Sequence, residues 1–215
     1  MLRQGKTLND VKGTGHMAGL LSNFRNTIIL SVLIALVFVF AYGQARGFAP
    51  ALWAEAILRW LHVFAGILWI GLLYYFNFVQ IRIMPSVPAE LKPGVSKYIA
   101  PEALFWFRWS ALATWVIGVA LALHRGYFAD AFALGFIENN PGHRLMGAGM
   151  WLATVMFLNV WVFIWPNQKI ALGLVEADAE AKAKAARTAM LFSRTNLLLS
   201  IPMLTTMAMN QTMFG

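Results

Sequence analysis

Three of the four histidines lie at the ends of long apolar segments, where an imidazole can reach a haem iron. They are His62, His124 and His143, and two imidazoles facing each other across a helical bundle can ligate both axial sides of haem b. Gly66 and Gly147 follow His62 and His143 by one helical turn and would leave room for a flat macrocycle. The sequence predicts His62 and His143 as haem-iron ligands, with Gly66 and Gly147 lining the cofactor. The alternative is that these histidines are simply hydrated at the helix ends.

A second set of polar residues falls in the opposite half of the same segments. Its members are amide or cationic side chains: Asn77, Arg108, Asn159, Arg194 and Asn196. The apolar segments contain no acid to pair with the two arginines, and an unpaired charge inside a membrane is costly. The set predicts a site for an anionic group, which would be a haem propionate, an anionic substrate or a lipid phosphate. The alternative is that the arginines snorkel to the headgroups.

Four methionines near the C-terminus favour a different cofactor. They are Met203, Met207, Met209 and Met213. Thioethers beside histidines suit Cu(I), although methionine is also common filler in apolar surroundings. Copper is therefore the less favoured cofactor, and a chain without any cofactor is the third option.

Five apolar segments would position these residues, and each approaches the roughly 20 residues needed to cross a bilayer. They are residues 27–42, 60–79, 103–123, 145–165 and 189–209. Pro166 is predicted to end the fourth segment, and Pro202 to kink the fifth. Residues 1–23 are predicted to form a cytoplasmic N-terminal arm, and residues 24–215 a transmembrane domain. The predicted fold class is an all-α integral membrane bundle.

Composition and charge agree with a membrane protein. Of the 215 residues, 60% are hydrophobic and 12% are charged, about half the charged fraction of a soluble domain. Outside the two intramembrane arginines, eleven Lys and Arg fall on the N-terminal side of the segments and four on the other. This bias predicts a cytoplasmic N-terminus and a periplasmic C-terminus in a bacterial inner membrane. It also explains the net charge of +8 without a nucleic-acid partner.

The absence of cysteine excludes disulfides, cysteine-ligated iron–sulfur clusters and a CxxCH attachment site for haem within this sequence. Histidine-ligated haem and copper both stay compatible with the composition.

Four stretches, taken in order, resemble the N-terminal membrane domain of the membrane-bound urate oxidases, also called urate hydroxylases. They are RWLHVFAGILWIG (59–71), PEALFWFRW (101–109), NVW (159–161) through WPNQK (165–169), and SRTN (193–196) with LSIPM (199–203). The resemblance runs from about Trp60 to the C-terminus. It implies a membrane redox protein, in a family whose membrane domain is followed by a cytochrome c domain. This chain has room for only about half of the family's usual helices and contains no CxxCH.

Two functions follow as expectations. The first is a haem-b-type redox or electron-transfer component, which would need other membrane subunits or a separate electron-transfer protein as partners. The second is a non-catalytic accessory subunit of a larger membrane complex, with glycine-rich helix faces packed on its partners. A visible absorption spectrum of the purified protein would separate the two, and metal analysis would test copper.

Overall fold

The computed structural model describes residues 18–47 and 49–214, so most of the predicted N-terminal arm lies outside the described residues. Within this part the chain is helical and contains no strand. The prediction of an all-α fold is confirmed.

Six helices organise the described chain. Four of them are long and apolar enough to cross a membrane, which makes the chain a multi-pass membrane protein by length and composition. These four are α1 (Phe24–Arg46), α2 (Pro50–Ser86), α3 (Lys92–His124) and α5 (Pro141–Ala171). The short helix α4 (Phe128–Phe132) lies between α3 and α5 in sequence, and the long helix α6 (Ala179–Phe214) follows α5. Each of the five predicted segments falls inside one of the long helices.

Helix α6 differs from the other long helices in its composition. It contains the predicted fifth segment and continues through Pro202. Its composition is less apolar, and it is not among the four helices that could cross a membrane by length and composition. Its buried residues include Ser193, Asn196 and Ser200. Polar side chains that face other helices lower the average hydropathy of a segment without meeting lipid.

Three helices change their hydrogen-bond register part of the way along. Their π-helical segments are Tyr75–Gln80 in α2, Val95–Ile99 in α3 and Asn159–Ile164 in α5. The prediction that Pro166 ends the fourth segment is wrong, because α5 continues from this π segment through Trp165–Ala171. Proline interrupts a regular α-helix by removing a donor and crowding the preceding turn, and a π bulge just before it alters that turn.

The core of the bundle is formed by α2, α3, α5 and α6. Its fully buried side chains include Trp69 and Leu73 from α2, Phe107 from α3, and Met156 and Val160 from α5. The chain divides into two compact units, the first ending at Trp53 and the second running from Ala54 onward. Every residue of the sites described below belongs to the second unit.

Candidate functional site

The start of α5 places His143 at one end of the second unit. Asn140 caps the helix, because its side-chain oxygen accepts the backbone N–H groups of Gly142 and His143 at 2.9 and 3.2 Å. Pro141 occupies the first turn, where its missing donor does no harm. This local sequence holds the imidazole of His143 in the first turn of the helix.

The partner of His143 is Asp130, on the short helix α4. The carboxylate is 3% exposed. Its Oδ1 accepts the N–H groups of Ile137 and Glu138 at 2.9 and 3.0 Å, and its Oδ2 lies 2.7 Å from Nδ1 of His143. Burial raises the pKa of Asp130, but these amide bonds and His143 together outweigh burial and hold the pKa below its usual value. Asp130 is therefore an ionised acceptor that orients the imidazole.

A cavity of about 210 Å³ lies beside this histidine, and it is called the polar chamber below. Its lining comes from α2, the α3–α4 connection, the start of α5 and the end of α6: Arg59, Arg125, Tyr127, Asn140, Gly142, His143, Met146, Asn210, Gln211 and Phe214. Nδ1 of His143 is bonded to Asp130, so Nε2 is the ring nitrogen left for a ligand in the chamber.

The charges at the chamber favour an anion. Arg59 is 2.6 Å from Glu55, and Arg125 is 3.7 Å from the same carboxylate, so two guanidinium groups share one acid. Arg59 also donates to Gln211 at 2.6 Å, which ties α6 to α2. The guanidinium of Arg125 lies 5.6 Å from the ring of Tyr127. Both arginines line the chamber, whereas the two acids that offset their charge, Glu55 and Asp130, do not.

Among the described residues, one set of side chains could hold a divalent metal. Ligand atoms of Asp130, Glu138 and His143 lie within 4.8 Å of one another. Both oxygens of Asp130 already accept hydrogen bonds, and its Oδ2 takes Nδ1 of His143. A cation would have to replace the proton between these two groups. We therefore interpret Asp130 and His143 as a hydrogen-bonded pair.

The two histidines predicted to share a haem have different surroundings. Nδ1 of His62 lies 2.9 Å from the carbonyl oxygen of Thr114, and a Cβ added to Gly118 would meet the His62 ring at 2.8 Å. His62 is not among the residues that line the polar chamber. In both histidines Nδ1 is engaged and Nε2 remains, a pattern common in metal-ligating histidines. Ligation of a haem iron by His62 and His143 stays a prediction.

The predicted glycines contact protein atoms. A Cβ added to Gly66 would meet the methyl group of Thr114 at 3.7 Å. At Gly147 an added Cβ would overlap the backbone carbonyl of Ala131. The missing side chain at Gly147 therefore lets α4 pack closely against α5. This close packing brings Asp130 within reach of His143.

The predicted anion cluster separates into two groups. Its amides pair with neighbouring helices: Asn159 donates to Asn196 at 2.9 Å, Asn196 donates to the carbonyl of Met156 at 2.9 Å, and Asn77 donates to Ser193 at 2.9 Å. These contacts, called the amide ladder below, connect α2, α5 and α6. Arg194 is exposed, because it follows Ser193 on α6 by about 100° of helical rotation.

Arg108 lies apart from the amide ladder. Its guanidinium carbon is 3.9 Å from the centroid of the Trp165 ring and 5.3 Å from that of Phe105. The structure thus brings three predicted amides together and places the two predicted arginines elsewhere.

Sequence reasoning missed Asp130 and the chamber residues of α6, Asn210 and Gln211. Asp130 falls between two apolar segments, and it is the lone acid in the stretch from Phe128 to Ile137. A single acid in such a stretch, a few residues before a capped helix with histidine in its first turn, is the signal that could have identified it. No comparable signal marks Asn210 and Gln211, which reach the chamber only through the packing of α6.

Comparison of the chain with protein-family models, curated proteins and solved structures found no match.

Proposed function

We propose that this multi-pass membrane protein binds a small organic anion in the polar chamber, with the anionic oxygens on the two arginines and Nε2 of His143 accepting an N–H group of the ligand. The observation that carries the proposal is the pairing of buried Asp130 with half-buried His143, beside two arginines that share a single acid. A carboxylate that orients an imidazole fixes which ring nitrogen meets the ligand. The guanidinium groups supply the charge and the paired donors that suit a carboxylate or an enolate oxygen.

The size of the chamber limits the ligand. Its volume of about 210 Å³ is below the roughly 300–1,000 Å³ typical of sites for drug-sized molecules. The amides of Asn140, Asn210 and Gln211 add polar groups to the lining, which suits a ligand with several carbonyl or N–H groups. Urate is an anion of this class, and the resemblance to the membrane-bound urate oxidases supports it as the first probe.

Urate is expected to raise the melting temperature of the purified full-length protein in detergent, because a ligand that binds only the folded state stabilises it. His143→Gln and Arg125→Gln are each expected to weaken binding about tenfold or more, the loss typical of a hydrogen bond to a charged group. Thermal shift against urate concentration measures the effect, and hypoxanthine serves as an uncharged purine of similar shape.

The matched control is Arg144→Gln. Arg144 is exposed, follows His143 directly and does not line the chamber, so this variant should bind urate as the unaltered protein does. Equal shifts with urate and hypoxanthine, or equal losses in all three variants, would contradict an anion site. The absence of any shift would favour the accessory-subunit alternative.

The orientation proposed for the chain is N-terminus in the cytoplasm, with the polar chamber on the periplasmic side of a bacterial inner membrane. It is supported by the excess of Lys and Arg on the side opposite the chamber. We further propose that α6 crosses the membrane, with its polar face on the amide ladder.

Single cysteines can test this topology cleanly, because the chain has none of its own. Glu90→Cys and Glu180→Cys are expected to react with a membrane-impermeant maleimide only from the cytoplasmic side, and Phe136→Cys only from the periplasmic side. The reason is that α3 and α5 separate these three exposed positions in sequence. Reaction of all three from one side would mean that neither helix crosses the membrane.

A further inference from the structure

Arg108 has a buried donor that meets no hydrogen-bond acceptor among the described residues. Its Nη1 is buried and makes no hydrogen bond within the described chain, while the guanidinium group lies over the ring of Trp165. A cation above an aromatic face gains about 0.5–2 kcal/mol, but that contact leaves the N–H groups in the guanidinium plane unsatisfied. A buried donor without a partner costs roughly 1–3 kcal/mol. An acceptor from outside the chain would remove this cost.

A second cation approaches the same indole. Nζ of Lys169, one turn after Trp165 on α5, is 5.8 Å from the ring centroid. Neither Lys169 nor Arg108 forms an ion pair with a described acid. Glu102, the acid of α3 nearest to Arg108 in sequence, accepts a hydrogen bond from Trp106 at 2.9 Å. Two positive charges therefore flank one ring with no described counter-charge.

A further donor lies one turn earlier on α5. Nε1 of Trp161 is buried and also has no hydrogen-bond partner among the described residues. Trp161 packs edge-to-face on Trp109, the residue after Arg108, with ring centroids 5.5 Å apart. The seam between α3 and α5 thus offers two cations and a neutral donor, a combination that attracts oxygen atoms of an anion.

We infer that Arg108 and Lys169 hold the phosphate of an anionic phospholipid at the seam between α3 and α5. The side chains around this seam are apolar and exposed on both helices, among them Phe105, Trp109 and Val162. In a membrane these side chains meet acyl chains, so a phosphate that carries acyl chains gains contacts that a free phosphate cannot make. Basic pockets between transmembrane helices commonly bind anionic lipid headgroups.

This lipid site is separate from the polar chamber. Trp165 follows His143 by 22 residues on α5, which corresponds to about 33 Å along a helix. The inference therefore does not rest on the proposed binding of a small anion, and either can fail without the other.

The experiment reconstitutes the full chain in nanodiscs of pure phosphatidylcholine or of phosphatidylcholine with phosphatidylglycerol. Phosphatidylglycerol is expected to raise the melting temperature of the unaltered protein, and native mass spectrometry should retain bound phosphatidylglycerol. Arg108→Gln and Lys169→Gln should each weaken this retention about tenfold. Arg108→Lys should retain more than Arg108→Gln, because it keeps the charge but loses the paired donors.

The matched control is Arg194→Gln, which removes an exposed arginine of α6 and should leave lipid retention unchanged. Lys169→Gln keeps the test decisive if Arg108→Gln fails to fold, because Lys169 is only half-buried. Equal retention by Lys169→Gln and Arg194→Gln would overturn the lipid site. An equal rise in melting temperature with inorganic phosphate alone would also overturn it, in favour of a free anion.

Discussion

Gly147→Leu is expected to lower the stability of the bundle more than any other single change at the candidate site. A Cβ at this position would lie 2.9 Å from the carbonyl carbon of Ala131 and closer still to its oxygen. The obstacle is backbone, which cannot rotate away as a flexible side chain can. Overpacking of this kind costs about 1–3 kcal/mol, a large part of the 5–15 kcal/mol that typically separates folded from unfolded chains.

The same change should also abolish binding at the polar chamber. Displacement of α4 moves Asp130, whose Oδ2 bonds Nδ1 of His143 only while α4 stays against α5. The melting temperature measures the loss of stability, and a urate titration of the same sample measures the loss of binding.

Gly71→Leu is the matched control for this variant. Gly71 lies in the middle of α2, and nothing is found within 4 Å of an added Cβ, so leucine should be tolerated there. Equal melting temperatures for the two variants would show that the contact between α4 and α5 is not needed for the fold.

Asn196→Leu is expected to give the second large loss of stability. Asn196 is 0% exposed, donates to the carbonyl of Met156 and accepts from Asn159. Leucine would leave the amide group of Asn159 buried without its acceptor. The expected cost is about 1–3 kcal/mol. We expect a value near the lower end, because hydrogen bonds between transmembrane helices contribute only about 0.6–2 kcal/mol each.

A double-mutant cycle can separate the hydrogen bond from the loss of the side chain. Asn159→Leu together with Asn196→Leu should recover part of the stability, because the donor of Asn159 is then no longer buried without its acceptor. Thr195→Val, at an exposed neighbouring position on α6, is the control and should change little. Strict additivity of the two leucine substitutions would contradict a direct coupling between Asn159 and Asn196.

The helices could be predicted from the sequence because their cause is local. A run such as residues 27–42 is apolar at every turn, and a helix satisfies all of its own backbone hydrogen bonds inside a membrane. The Asn140–Pro141 start of α5 is likewise a local capping pattern. The end of α5 was predicted wrongly, because the π segment before Pro166 is not visible in composition or spacing.

The candidate site was predictable only in part. His143 was identified as a functional residue, but its partner Asp130 was not, since their contact depends on how α4 packs against Gly147. Asn159 and Asn196 were expected to surround an anion, and they bond to each other instead. Periodicity places a residue on a face of its own helix but does not say which residue of another helix it will meet.

The helical fold and the apolar length needed to cross a membrane several times follow from residue types alone, because both properties arise from residues close together in the chain. The packing of the helices against one another pairs His143 with Asp130, lets Arg59 and Arg125 share Glu55, and places Arg108 on Trp165. Each of these contacts joins side chains whose approach depends on the rotation and depth of whole helices. Those two quantities are set by packing over the entire bundle, and no local pattern encodes them.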